Sequence, residues 1–519
     1  MRQDYERRLK EMGDSLNRLE AATAEAAARP GAASSAVPAA AEAGQAAAER
    51  VPGGAAAAPQ QESRREYADE LFRSTTESRD QVPAGEPNRA LRERAEQVLQ
   101  NFVDIAGYFR AGYGRDSEGG PQVAFQAPGA LAKGRLGNEA ENYGELIFSK
   151  NFYLPGAFSL RSSRDNGMPS DPIARFQVRL SMFDPYQAYA DATATNFGLA
   201  EAWASIGNLS AGQPEMKLWA GNRFYQRYDI HIDDFFLYNM SGGGGGVEDI
   251  RSPLGKVDAA WIGQGSQSGF SDMPQPNPAN QAGFSKTNLV LDLHDTPLPF
   301  GKGFFGLTWT RATSGLDANG YTAPNTTGAA FTFIHTSSRF ADANSVNRFS
   351  IQYGSDAAKT FTSGFETYTT AAGTFIRPDA PGSYRFRITE NLIMQPSPHF
   401  SFSPVLLYQL TNYKQYGGVE RWYSAGARPI VHFNRYASLA FEPFLDWTGD
   451  ESTHQSGYLT KATLAPQISL SNFFMSRPVI RGFFTYAHWS DGYVGQIGGL
   501  DYAHRDQGFT TGVQMETWW

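Results

Sequence analysis

Hydrophobic and polar positions change period once along this chain. Near the start, apolar residues fall at Tyr5, Leu9, Met12, Leu16 and Leu19, a four-three spacing ringed by Arg, Lys, Asp and Glu. This heptad seam predicts a short coiled coil over 1–28, or a solitary amphipathic helix if no partner supplies the rest of the seam. So few heptads are marginal alone, so a coiled coil here needs a body that already brings the chains together. Residues 29–61 are Ala, Pro, Gly and Gln without a period, which reads as linker. A second helical stretch, Asn88–Phe102, with Leu91, Val98, Leu99 and Phe102 on one side, completes an amino-terminal region that ends at 103.

At Asp104 the period becomes two. Ile105, Phe109 and Tyr113 take one face and Tyr108 and Arg110 the other. Similar segments recur to the last residue, among them Asn347–Gly354, Ser383–Leu392, Ser401–Leu410, Ser438–Trp447 and Val479–Trp489, separated by Gly, Asp, Asn, Ser and Pro. No long helical window intervenes, which predicts an antiparallel meander. No short repeat supports a propeller or solenoid. No window holds the ~18 apolar residues of a membrane helix. A transmembrane barrel stays open, because its signal is only alternation in segments of about 10 residues.

The terminal segment sharpens this. Phe509, Val513, Met515 and Trp519 share one face, while Thr510, Gly512, Gln514, Glu516 and Trp518 share the other. One apolar and one polar face suit lipid outside and water inside. Trp518 is then a large ring in the polar phase, unless it is an interface Trp with the register slipped by one. The same test over Arg135–Ile147 places Arg135, Glu139, Glu141, Tyr143 and Glu145 together. Rings and charges on one wet face suit a sugar: C–H faces stack on rings and hydroxyls take charge-assisted hydrogen bonds. Several rings in a file let a solute slide rather than lodge.

A third stretch, Leu218–Asp234, enters as an alternating strand and turns within a dozen residues into a cluster of Arg, Asp and His that empties into Gly242–Gly246. A loop of this kind can fold into a wet barrel and narrow it.

Composition bounds the rest. The 519 residues are 13% aromatic and 19% charged, too rich in apolar material for disorder. The net charge of -8 and the lack of a basic track argue against a nucleic-acid partner. With no cysteine, neither a disulfide nor a thiolate metal site is expected. The chain starts without a charged and apolar leader, so either a signal peptide has been removed or the protein is not secreted.

Several stretches together resemble the maltoporin family of outer-membrane sugar porins. They are Gly107-Tyr108-Phe109-Arg110, Arg135 to Glu139, Trp219 to His231 with Asp234-Phe235-Phe236 and Ser241-Gly242, Ser476 to Arg481 with Tyr486-Ala487, and Gln514 to Trp519. They occur in the family's order across 104–519. The amino-terminal extension is similar to that of sucrose porins. The resemblance implies an eighteen-stranded antiparallel barrel that assembles as a homotrimer in the outer membrane of a Gram-negative bacterium. It implies an aromatic slide at Tyr108, Tyr143, Phe331 and Trp518. It also implies polar tracks and a constriction at Arg110, Arg135, Glu145, Arg227, Asp229, Asp234 and Phe236. For Phe331, alternation alone fits a lipid-facing position equally well. The sequence departs from the pattern at Met475, beside Phe474, where the family has a slide Trp, and at Phe236, where it has Tyr. It departs again at Ala124 and Ala140, which stand where the family has cysteines. Tyr186 and Tyr189 are the nearest aromatics to the slide Trp donated by a neighbouring subunit.

The expected function is saturable diffusion of a maltodextrin- or sucrose-type sugar, with a general porin as the alternative. The amino-terminal arm is expected in the periplasm, as a tether to the cell wall or a contact for a sugar-binding protein. No enzyme activity, cofactor or metal is expected. Asp229, His231, Asp233 and Asp234 have metal-ligand chemistry, but a lone His in a charged loop is usually a hydrogen-bonding brace.

Overall fold

The computed structural model describes residues 103–139, 141–153, 172–184, 196–210, 212–266, 284–313, 315–316, 322–340, 342, 345–370, 373–377, 381–414 and 418–519. The expected coiled coil, linker and helix of 1–102 lie outside these residues, as do Ala140, Tyr186 and Tyr189. Among the described residues no helix is long and apolar enough to cross a membrane.

Eighteen strands form one sheet. It is antiparallel, with sequence neighbours paired and the ring closed between first and last. Asp104–Asp116 pairs with Asn142–Tyr153 on one side and with Gln507–Trp518 on the other. Closure is tight at Gly107. Its N–H donates to the Trp519 carbonyl at 3.1 Å and its carbonyl accepts from the Trp519 N–H at 3.1 Å. A Cβ at Gly107 would meet the Trp519 ring at 2.6 Å, so a side chain there would push the last residue off the seam. Closing the sheet pairs every ladder and leaves no edge for another chain to extend.

Alternation decides what faces out. Leu289, Leu291, Leu307, Trp309, Tyr353, Leu406, Tyr423, Leu445 and Phe484 are exposed. Their strand neighbours Asn288, Asp292, Thr308, Thr310, Gln352, Arg387, Ser424, Glu442 and Thr485 are buried. An apolar outside and a polar inside invert the soluble pattern, as lipid outside and water inside require. The expected segments are all strands: Val346–Ser355, Phe400–Lys414 and Ala437–Asp450 are extended by a few residues, Tyr384–Ser397 starts one residue later and runs further, and Val479–Trp489 keeps its limits.

Among the described residues, three of the connections that turn inward shape the site. The first, 117–141, crosses to the wall formed by Ala437–Asp450 and Gln455–Ser469. There the Leu136 N–H donates to Glu442 Oε1 at 2.8 Å, and Lys461 Nζ donates to the Leu136 carbonyl at 2.7 Å. The second leaves strand Lys217–Arg223, forms a ribbon of Arg227–Ile230 with Phe235–Asn239 around a single 3-10 turn, and returns at Gly242–Ser252. Gln352 Nε2 and Arg387 Nη1 donate to the Leu237 carbonyl at 2.9 and 3.1 Å, which pins this ribbon to the far wall. The third, around 356–365, meets its tip: the Asn239 N–H donates to the Phe361 carbonyl at 3.1 Å. Ile230, Ile232, Leu237 and Met240 are buried between them. Each such side chain contributes roughly 1.5–3 kcal/mol to holding the ribbon down.

Two expectations need correction. Arg135–Glu141 is not strand, since the second strand starts at Asn142, so Arg135 and Glu139 come from the first inward connection. The run Gly242–Gly246 is strand rather than loop. A Cβ at Gly244 would meet the Trp261 carbonyl at 2.1 Å, so this strand approaches its neighbour too closely for a side chain there.

Candidate functional site

The barrel seam puts three inward rings in a row, one on each of three adjacent strands. Tyr108 lies directly across from Trp518, and the two rings stack with centroids 6.3 Å apart and planes within 17°. Tyr143 follows on the other side of Tyr108 at 5.9 Å. The register therefore holds Trp518 inward and removes the slipped-strand alternative.

Charges lie along the row. Arg110 pairs with Glu139 at 2.6 Å and with Glu141. Arg135 reaches in from the first inward connection and spends its donors on Glu139 (2.8 Å), Glu516 (2.9 Å), the Tyr108 hydroxyl (2.8 Å) and His231 Nδ1 (2.9 Å). Arg477 and Arg481 reach Glu516 at 2.6 and 2.9 Å, and the Arg477 guanidinium lies 4.1 Å over the Trp518 ring. At the far end the Tyr143 hydroxyl donates to Glu145, which Arg179 holds at 2.5 Å. Planar guanidinium groups satisfy several partners at once, and buried carboxylates so paired hold the donors in fixed positions.

The ribbon faces this row. Arg227 is clamped between the rings of Phe224 and Phe236, 4.0 and 4.1 Å from their centroids, so Phe236 acts as a stacking plate for which a hydroxyl is not needed. Asp229 offers its backbone carbonyl to Arg348 at 2.9 Å. Burial pushes the Asp229 carboxyl up against the pull of Arg348, Arg135 and Arg227. Asp234 pairs with Lys133 at 3.0 Å. Burial acts to raise its carboxyl too, but Lys133 and Arg135 outweigh that and hold it below the usual range. His231 is pushed well below its ordinary value by burial and then by Arg135, so it is a neutral brace between Arg135 and Trp518.

Phe331 is not part of this row. It sits 40% exposed in the outward phase of Thr326–Ser338, across from Leu307 and Tyr353, while Thr332 next to it is inward and accepts from Gln352 at 3.1 Å. The expected slide position is corrected to a lipid-facing one, because its neighbours two residues away, Ala329 and Phe333, are apolar as well. Met475 and Phe474 are buried in the apolar cluster. The residues that sequence reading missed are Phe224, Arg179, Arg348, Arg387 and Lys133. Phe224 and Lys133 lie in connections, Arg179 on the strand paired with that of Tyr143, and Arg348 and Arg387 on the far wall, so no local pattern joins them to the site.

Residues 103–519 match the model of the LamB porin family. The chain belongs to the LamB porin family. This LamB porin is an outer-membrane channel whose wall is the eighteen-stranded barrel. Its barrel is also similar to OmpT of Vibrio cholerae (8% identity, 80% of this chain and 97% of that one, TM-score 0.36). Others are OccK2 (OpdF) of Pseudomonas aeruginosa (10%, 80% and 98%, TM-score 0.41) and the anion-selective porin from Comamonas acidovorans (10%, 80% and 99%, TM-score 0.38).

Proposed function

We propose that this channel carries neutral carbohydrates of the maltodextrin or sucrose type by saturable diffusion. The observation that supports this most is the inward row Tyr143, Tyr108 and Trp518, edged by Arg110, Arg135, Glu145 and Glu516. A pyranose binds such a row through its C–H face and exchanges hydrogen bonds with the flanking ions as it advances. Each ring contact is worth roughly 0.5–1.5 kcal/mol beyond area burial, weak enough for release. Arg227, Asp229, Asp234 and Phe236 form the constriction opposite the row. Three barrels assemble as a homotrimer in the lipid bilayer, and the arm 1–103 lies in the periplasm, within reach of the cell wall or a sugar-binding protein.

Liposome swelling tests this. Maltose oligomers or sucrose are expected to enter at a rate that saturates with concentration and is competed by one another. Rates that rise linearly and depend on solute size alone would sink the proposal and leave a general porin.

A further inference from the structure

Away from the ring row, close to the short turns 253–254 and 299–300, three adjacent wall strands bring together Asp249, Asp258 and His294. We propose that these three residues bind a divalent transition-metal cation of the zinc class, with Asp292 as a fourth donor and Asp295 orienting the imidazole.

One donor atom from each of the three lies within 4.8 Å of the other two. His294 Nε2 is 3.2 Å from Asp258 Oδ1 and 3.7 Å from Asp249 Oδ1. Metal bonds of about 2.1 Å at tetrahedral angles set neighbouring donors about 3.4 Å apart, so these spacings bracket the edge of a coordination tetrahedron. The chain makes an effort to present Asp249. A bulge between Val247 and Ile250 and a φ of 58° at Asp249 turn it toward Asp258, whose Oδ1 accepts the Asp249 N–H at 2.7 Å. His294 Nδ1 faces Asp295 at 3.5 Å, the carboxylate–imidazole arrangement that leaves Nε2 for a metal.

A second observation is independent of that triangle. Asp292 lies directly across from Asp258 and is fully buried. Its Oδ1 accepts from Tyr238, while its Oδ2 has no hydrogen-bond partner. The Tyr225 hydroxyl is also buried without a partner, and the carboxylates of Asp292 and Asp258 are the charges it feels most. A buried carboxylate oxygen with nothing to meet it is costly. A cation between Asp258 and Asp292 supplies both charge and coordination. Lys217 holds Asp249 Oδ2 at 2.8 Å and Gln226 donates to Asp258 Oδ2 at 2.7 Å, so the ion meets the Oδ1 atoms. Lys256 sits 3.4 Å from Asp249 Oδ1 but 2.9 Å from Glu215, so it has another partner when the ion enters. Mixed imidazole and carboxylate donors suit Zn2+, Co2+ or Ni2+.

The test is calorimetric titration of the folded, full-length protein in detergent with ZnCl2 after chelator treatment, with the visible spectrum of the Co2+ form as a second readout. One ion per chain is expected, with a Co2+ band of tetrahedral intensity. Asp295→Asn is expected to lower affinity ~10-fold and His294→Ala by more, while His504→Ala changes nothing. Heat-modified gel migration reports whether each barrel is folded. If His294→Ala fails to fold, Asp258→Asn and Asp292→Asn replace it. Binding that does not saturate, or that survives in the folded site variants with unchanged affinity, overturns the proposal.

Discussion

Tyr108 and Phe331 both lie in alternating strands, and the resemblance to maltoporins leads one to expect both in the slide, yet one ring faces the channel and the other the membrane. Their neighbours explain the difference. Tyr108 has Arg110 two residues on, Tyr143 has Glu145, and Trp518 has Glu516 two residues before it. Phe331 has Ala329 and Phe333. Side chains two apart share a face, so a charge at that spacing holds a ring in water, and apolar neighbours hold it in lipid. The seam of the barrel thus carries rings and ions in one phase, and the wall opposite separates them.

The largest effect should come from cutting the ions out of the seam. Glu516→Ala strips Arg135, Arg477 and Arg481 of a buried partner, and such breaks cost about 3–5 kcal/mol. The denaturant midpoint of the folded barrel should fall, whereas Arg421→Ala, at an exposed pair with Glu451, should shift it by ~1 kcal/mol at most. Equal shifts would mean that the seam ions bear no load. Next in size, Trp518→Ala should weaken sugar binding by roughly 1–3 kcal/mol while ion conductance persists. Phe331→Ala should leave sugar binding within about 0.5 kcal/mol of the parent. A loss on Phe331→Ala as large as that on Trp518→Ala would erase the contrast between the two walls.

The proposed constriction should give smaller effects. Phe236→Ala removes one plate of the Arg227 sandwich, worth about 0.5–2 kcal/mol, and should raise open-channel current noise as Arg227 gains freedom. An unchanged current trace would place Arg227 away from the conducting path. His231 adds a dependence on pH. Its folded-state value is depressed, so the unfolded or released ribbon binds the proton more readily. The ribbon's anchoring is therefore complete above the ordinary imidazole value of about 6.5 and weakens as pH falls below it, by no more than about 1.4 kcal/mol per pH unit. Channel flicker should rise between pH 7 and 5, and His231→Asn should flatten that rise.

Much of the wall was legible in the sequence, because alternation is enforced at every strand by lipid on one side and water on the other. Val479–Trp489 even kept its limits. What local periodicity does not carry is the path of a connection. Arg135, Glu139 and Glu141 share a phase of two, yet a loop delivers all three, and the hydrogen bond of Leu136 to a wall 306 residues further on explains why. Arg348 lies on a wall strand, and only the path of the ribbon brings the Asp229 carbonyl to it. Asp249, Asp258 and His294 sit on three strands, so no spacing announced them. Phe331 was expected in the slide from its match to the family, whereas its apolar neighbours Ala329 and Phe333 agree with the outward phase that it takes.

The most direct test of the ring row is single-channel current in a planar bilayer, with maltose oligomers and sucrose titrated from either side of the parent and of Trp518→Ala. The account predicts saturable block of the parent by one of these sugar classes and a block constant weakened about 5- to 150-fold in Trp518→Ala, the equivalent of 1–3 kcal/mol. A parent channel that conducts ions and ignores every sugar, or a block that Trp518→Ala leaves unchanged, would contradict it.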